Sequence, residues 1–389
     1  MKSGRAAVWK GRYDIEIRNL PIVEVKKDCA LIKVHAASIC GSDAHLMQMD
    51  PPYECSIGHE FAGEIVAMGN DANDSLNIYG GPLREGDRIA VYPWITCGKC
   101  EGCLKHRPGT CTTCCNSFVY GTPYPILGLQ GKEIISSRIE VPPHFKGGFG
   151  EYVYIFPGTY VWKIPDDMPS LIATLLDPTA VAVRALELSQ REPGTIEEAL
   201  DTNSKVVILG AGPVGLLTAL VLKIMGVEKI IMIDGYVSKL NMAKEVANVD
   251  ETINFNEVSY ESRISMVKEM TNGGADLVVQ CANTTVAFVE GLEMIRRLGT
   301  LVEVGNVVPG GQEVGIDPAR LVCNKHARII GMSANHPGAF NKAFHILMRH
   351  EKYAFDKLFT HICKLEELLG TLTKMRDQDY VKGVVVFDN

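Results

Sequence analysis

The sequence predicts an α/β protein in two parts: an irregular β-rich N-terminal half, then a doubly wound parallel sheet with helices on both faces. Three observations carry this. From about residue 171 short apolar runs alternate with helical stretches, the pattern of strands connected through crossover helices. Before that point, runs with period-two alternation are separated by turn dipeptides. Between one apolar run and one helical run lies the glycine-rich turn Gly210-Ala211-Gly212-Pro213-Val214-Gly215.

In chain order, residues 30–35 and 64–68 read as strands, and Gly80-Gly81, Gly86-Asp87, Pro142-Pro143 and Gly147-Gly148 punctuate the first half. Residues 206–209, 229–233, 277–279 and 300–304 read as buried strands. Residues 216–225, 238–247 and 285–295 read as the helices between them, and 340–349 opens a tail that returns to the first domain. The expected boundaries are 1–180, with a cysteine lobe at about 95–115, then 181–334, then 335–389.

The 389 residues suit two or three domains, and 46% apolar content rules out wholesale disorder. A net charge of -7 argues against nucleic acid as a partner. Residues 206–222 carry no charge, but they are shorter than a bilayer span and are interrupted by Gly210, Gly212, Pro213 and Gly215. No membrane partner is expected. The N-terminus lacks the apolar core of a signal peptide, so a reducing cytoplasmic setting is expected for the 12 cysteines.

In the glycine turn, Gly210 permits the tight bend, Gly212 lets backbone approach a pyrophosphate, and Gly215 packs helix on strand. Pro213 and Val214 open the helix, whose free N–H groups hold negative charge. Asp234 closes the next strand about 20 residues on, where an acid meets the adenosine ribose hydroxyls; together these form the Rossmann fingerprint. A carboxylate there repels a 2′-phosphate, and Gly235-Tyr236-Val237 supply no arginine, so NAD is favoured over NADP.

Cys97, Cys100, Cys103 and Cys111 can surround one tetrahedral Zn²⁺ in a closed, structural site. A ferredoxin-type cluster would need its fourth cysteine after three residues and then a proline; here it comes after seven, followed by Thr112. Cys114 and Cys115 read as spare thiols. Cys40, His59 and Glu60 offer a thiolate, an imidazole and a carboxylate, three ligands that leave a position open. From the residues alone, a buried apolar cysteine and a partly exposed polar pair explain the same strings better than a catalytic metal does.

Taken together, Cys40-Gly41-Ser42-Asp43, Gly58-His59-Glu60, Gly86-Asp87-Arg88-Ile89, the cysteine lobe, Gly148-Phe149-Gly150-Glu151-Tyr152 and Gly210–Gly215 with Asp234 resemble the medium-chain zinc-dependent alcohol dehydrogenases. They resemble in particular the branch of the sorbitol, threonine and butanediol dehydrogenases. The resemblance implies a GroES-like catalytic domain beside the Rossmann domain, one catalytic and one structural zinc, and hydride transfer between a secondary alcohol or polyol and NAD. It makes Cys40 and His59 zinc ligands, puts Glu60 on or beside the metal, and makes Ser42 and His45 a proton relay. Asp43 becomes the acid that orients His59. Lys239 falls near the adenosine ribose, and Gly305 with Asn306 near the nicotinamide ribose. The polyol branch has Glu-Pro where this chain has Asp177-Pro178, so Asp177 ligates directly, acts through water, or remains a helix-start acid.

The resemblance also implies homodimers or homotetramers, with residues 300–304 and 314–318 at the contact. Residues 70–83 and 116–146 exceed a compact family member, and Trp94, Phe118, Tyr120 and Tyr124 are candidate pocket walls against a packing role. Two rival functions stand beside alcohol oxidation: a carbonyl reductase or aldehyde-oxidising relative on the same scaffold, and a non-catalytic zinc and nucleotide binder.

Overall fold

The β-branched and aliphatic runs of residues 205–331 form one parallel sheet, and its strands are buried almost throughout because helices cover both faces. In this computed structural model, which describes residues 2–106, 114–127, 131–190, 200–306 and 311–387, the chain divides into two units. One comprises residues 1–177 and 335–389; the other is residues 178–334.

The second unit holds strands Lys205–Leu209, Lys229–Asp234, Glu251–Asn254, Ala275–Gln280, Ile295–Glu303 and Arg328–Gly331. Counted in chain order they lie 3-2-1-4-5-6, all parallel. The order reverses between the first and fourth strands, the place where a doubly wound sheet binds a dinucleotide beyond its carboxyl edge. Helix Pro213–Ile224 starts there, with Gly212 as N-cap and proline at the first turn, and is buried from Gly215 to Leu222. The expected strand at 300–304 begins five residues earlier, at Ile295, and contains Leu298 with a left-handed φ of 61°. Residues 314–317 lie outside helix and strand.

Among the described residues of this unit, Arg263, Glu290 and the partly buried Lys325 all meet partners. Arg263 on helix Tyr260–Met270 grips Glu290 on helix Thr285–Met294 through two hydrogen bonds of 2.6 and 3.0 Å. Lys325 donates to the carbonyls of Leu292, Glu293 and Ile295 at 2.6, 3.0 and 2.8 Å, closing the carboxyl end of that second helix.

In the first unit the strand Ala30–Ile39 pairs with Glu60–Met68, Lys382–Val386 and Tyr152–Ile155. The tail thus enters the sheet as a neighbour of the chain's early strands. Trp9, Phe61, Phe118, Tyr120, Phe145 and Phe149 anchor the core. Phe118 and Tyr120 meet edge-to-face at 5.0 Å, and Tyr124 is also buried, so these three aromatics pack the interior instead of walling an open pocket. The longer loops are built into the same unit. Residues 70–83 supply helix Ala72–Ser75 and edge strand Asn77–Tyr79, which lies parallel to Tyr160–Lys163. Within 116–146, Lys146 is 2% exposed and donates to Ser136, Arg138 and Val141 carbonyls at 2.5, 2.9 and 2.8 Å. Among the described residues no helix is long and apolar enough to cross a membrane.

Candidate active site

Cys40 ends the central strand's path and caps helix Gly41–Leu46, and the Cys40 N–H donates to Asp43 Oδ2 at 2.9 Å. That bond fixes the Asp43 carboxylate, whose Oδ1 faces His59 Nδ1 at 3.5 Å. Both atoms are buried and have no hydrogen-bond partner among the described residues. His59 follows Gly58, whose φ of +90° and tight approach to Phe149 suit only glycine. The Cys40 sulfur, a His59 ring nitrogen and a Glu60 carboxylate oxygen all lie within 4.8 Å of one another. Asp177 Oδ2 stands 4.0 Å from His59 Nε2.

Burial works against a charge on His59, but Asp43 and the Cys40 sulfur outweigh it and hold its pKa well above the ordinary value. Burial, reinforced by the Glu60 charge and opposed by His59, pushes Asp177 up to about 6. The donor set fits zinc. An imidazole whose Nδ1 is turned to an orphaned carboxylate oxygen leaves Nε2 for a metal, with a thiolate beside it. Cys40, His59 and one carboxylate leave a fourth position for an alcohol oxygen. Ser42 and His45 are half-buried on the same short helix, and burial with the nearby Arg376 lowers the pKa of His45.

Glu60 has partners that the sequence did not announce. Ser38 donates to its Oε2, and so does Lys382 at 2.5 Å. A usable signal exists, because Lys382 opens the otherwise apolar run Gly383-Val384-Val385-Val386 and is 2% exposed. A lysine inside an apolar strand calls for a buried partner.

The cysteine lobe brings a further thiol to the three expected ones that are described. The thiols that gather are Cys97, Cys100, Cys103 and Cys114, with sulfurs within 4.8 Å of one another. Cys111, expected as the fourth ligand, lies outside the described residues; among the described residues Cys114, read from the sequence as spare, stands with the other three. Cys114 sulfur lies 3.6 Å from Cys97 and 3.9 Å from Cys100. Four thiolates at about 2.3 Å from a tetrahedral zinc are about 3.8 Å apart, so these spacings fit the ion. Backbone N–H groups of Cys103 and Cys115 stabilise the Cys100 thiolate and bring its pKa down to about 6.

In the second unit the three glycines differ as their roles require. Gly210 has φ +101° and touches Ala282 on the fourth-strand loop. A Cβ at Gly212 would meet open space, while one at Gly215 would strike the Gly210 carbonyl at 1.9 Å. Asp234 is tied to this turn: Ala211 N–H donates to Oδ2 at 2.8 Å and Tyr236 N–H to Oδ1 at 3.0 Å. Lys239 lies over the Tyr236 ring, 5.0 Å from its centroid. Gly305 and Asn306 N–H groups donate to Glu303 Oε1 at 2.9 and 2.8 Å, at the carboxyl end of the fifth strand.

Known proteins agree with this construction. Residues 26–166 match the alcohol dehydrogenase GroES-like domain, and residues 213–349 match the zinc-binding dehydrogenase family. An L-threonine 3-dehydrogenase of Bacillus licheniformis is 30% identical over 284 residues, 71% of this chain and 68% of that protein. The sorbitol dehydrogenase of Bacillus subtilis is 29% identical over 322 residues, 80% of this chain and 77% of that protein. The crystal structure of an alcohol dehydrogenase from Thermotoga maritima superposes with a TM-score of 0.85 at 26% identity, covering 99% of this chain and 100% of that one. The chain belongs to the medium-chain zinc-dependent alcohol dehydrogenase family. It is an oxidoreductase that moves hydride between an alcohol carbon and a nicotinamide cofactor.

Proposed function

We propose that the protein oxidises a secondary alcohol or polyol with NAD, using Cys40 and His59 to hold a catalytic zinc. The observation that carries this is the buried pair of orphaned atoms, His59 Nδ1 and Asp43 Oδ1, beside the Cys40 sulfur. It sets the imidazole as a metal ligand and leaves a carboxylate to orient it. Bound zinc supplies a Lewis acid that lowers the alcohol's pKa, and bound nicotinamide accepts the hydride.

The chain's own residues do the rest. Ser42 accepts the alcohol proton and His45 passes it to solvent; the depressed pKa of His45 leaves its ring neutral and able to accept it. The turn at Gly210–Gly215 takes the pyrophosphate, with Pro213 and Val214 in the helix's first turn. Asp234, its carboxylate fixed by two backbone N–H groups, binds the ribose hydroxyls and repels a 2′-phosphate. Lys239, Gly305 and Asn306 complete the cofactor contacts. Cys97, Cys100, Cys103 and Cys114 hold the structural zinc. The reading extends to a homodimer or homotetramer working in the cytoplasm, where the free thiols of the described residues stay reduced.

The test is a dehydrogenase assay of the zinc-loaded protein over secondary alcohols, short diols and polyols, with NAD and NADP compared. Turnover of at least one polyol class with a tenfold or greater preference for NAD is expected. An NADP preference of that size would sink the Asp234 argument, and no alcohol turnover at all would sink the substrate class.

A further inference from the structure

At the carboxyl edge of the parallel sheet three strand ends stand in line. Leu209, Gln280 and Glu303 are register partners on the first, fourth and fifth strands. The turns that follow them touch: a Cβ on Gly210 would stand 2.9 Å from the Ala282 nitrogen, and one on Gly305 would strike the Ala282 carbonyl at 2.2 Å. Asp234 ends the second strand, on the opposite side of the first strand from Gln280 and Glu303. A dinucleotide with its adenosine ribose at Asp234 and its pyrophosphate on Gly210–Gly215 therefore runs on over the fourth and fifth strands with its nicotinamide half. Of residues 280–284 and 303–306, Glu303 alone carries a charge. Its Oε1 accepts the Gly305 and Asn306 N–H groups, and the fully buried Gln280 donates from Nε2 to Oε1 and Oε2 at 3.2 and 3.4 Å. Gln280 is locked in turn, because its Nε2 donates to the Ala282 carbonyl at 2.7 Å and its Oε1 accepts the Ala282 N–H. Burial pushes the pKa of Glu303 up, and the donors from Asn306, Gly305 and Gln280 oppose that rise by favouring the anion.

We propose that Glu303 selects the oxidation state of the cofactor: its fixed carboxylate favours the cationic nicotinamide ring of NAD⁺ over the neutral ring of NADH. This rests on reading the glycine turn and Asp234 as an NAD site. The two forms of the cofactor share their phosphates and adenosine and differ by one unit of charge at the ring. A carboxylate on the ring side of the cleft therefore acts on that difference, whereas Asp234, at the adenosine end, meets the same groups in both forms. Held by backbone and amide donors in a partly buried turn, the Glu303 charge is screened less than it would be in water. Stabilising the oxidised ring lowers the reduction potential of the bound cofactor. It favours loading of NAD⁺ without tightening NADH, which suits alcohol oxidation over carbonyl reduction.

The experiment measures the dissociation constants of NAD⁺, NADH and ADP-ribose on the full-length protein by isothermal titration calorimetry. Glu303→Gln keeps the shape and an accepting oxygen and removes the charge. NAD⁺ is expected to bind about tenfold more weakly, while NADH and ADP-ribose, whose ring end is neutral or absent, stay within about twofold. The potential of the bound couple should rise by about 30 mV, the equivalent of a tenfold change for two electrons. Glu303→Asp retains the charge and should keep the ratio of NAD⁺ to NADH affinity within about threefold of native. Equal changes for NAD⁺ and NADH in Glu303→Gln, or no change in either, overturn the proposal and leave the carboxylate as a tie for the 303–306 turn. A ratio moved as far by Glu303→Asp as by Glu303→Gln overturns it too. If Glu303→Gln does not fold, Glu303→Met carries the same expectation. Failure of the native protein to bind either NAD⁺ or ADP-ribose defeats the NAD-site reading itself.

Discussion

Among the described residues of 178–334, the interior charges Arg263, Glu290 and Lys325 are occupied with one another or with backbone. Arg263 and Glu290 satisfy each other bidentately, and Lys325 spends its three protons on three carbonyls. In the other unit Lys146 and the Lys382–Glu60 pair are equally complete, but around Cys40 the charged interior holds atoms that lack a partner among the described residues. Asp43 Oδ1 and His59 Nδ1 face each other 3.5 Å apart without a hydrogen bond, Asp177 is held half-way to protonation near pH 6, and a thiol sits alongside. The same physical cost of burying charge is met at Arg263, Glu290 and Lys325 by closure and around Cys40 by readiness for a ligand. Buried polar groups that are complete stabilise a fold, and those that are incomplete mark where a fold binds something.

The strongest way to break this comparison is to remove the incomplete groups. Cys40→Ala or His59→Ala should lower turnover by about a thousandfold or more, since a Lewis acid supplies several kcal/mol to the chemical step. Nucleotide affinity, measured by quenching of protein fluorescence, should stay within about threefold, because the glycine turn lies in the other unit. Near-native turnover in either variant would remove the metal from the mechanism.

A second contrast lies inside the catalytic unit, between the open site and the four-thiol lobe. Cys114→Ser should cost one zinc per chain by elemental analysis and roughly 3–5 kcal/mol of stability, the scale reached when a metal staple is lost. Cys115→Ser should leave zinc content unchanged, since that sulfur is exposed and lies outside the group of four. Equal loss in both variants would refute the assignment of the fourth ligand.

What the sequence disclosed follows the range of each interaction. The glycine turn and Asp234 could be read because they are one contiguous motif whose backbone roles depend on a few neighbours. The alternation of strands and helices was equally open, since burial on both faces makes parallel strands uniformly apolar. Cys40 and His59 were found through short strings and a family resemblance. Lys382 was not, because its partner is 322 residues away and only strand order brings the two together. The nearness of Cys114 to Cys97, Cys100 and Cys103 was not legible because it depends on how the lobe folds and not on spacing along the chain. The aromatic residues at 118 and 120 looked like pocket walls because sequence cannot tell a ring facing a cavity from one facing a core.

The closed charges of the nucleotide-binding unit offer a test of smaller size. Lys325→Met removes one cation and leaves three carbonyls short of a donor, which should cost about 2–3 kcal/mol in urea unfolding. Burial holds the Lys325 pKa at about 8, below its ordinary 10.5. Between these values the unfolded chain binds more protons than the folded one, so this lysine makes stability rise as pH increases from about 8 to 10. The rise should be present in the native protein and reduced in Lys325→Met. Dehydrogenase kcat at neutral pH should be unchanged, since the group closes a helix end and touches no cofactor residue.

Asp234 tests whether a fully hydrogen-bonded carboxylate can still serve a ligand. Each of its oxygens already accepts a backbone N–H, but a carboxylate has about four lone-pair directions, so two remain for ribose hydroxyls. Asp234→Ser should weaken NAD by about tenfold, or about 1.4 kcal/mol, while NADP binding strengthens or holds constant as the repulsion of the 2′-phosphate is lifted. Zinc content should be native, because no metal-site residue lies in this unit. Parallel losses for NAD and NADP would mean that Asp234 acts only by shaping the glycine turn through Ala211. An unequal change would show that the same carboxylate both completes the fold locally and selects the cofactor, joining closure and readiness in one residue.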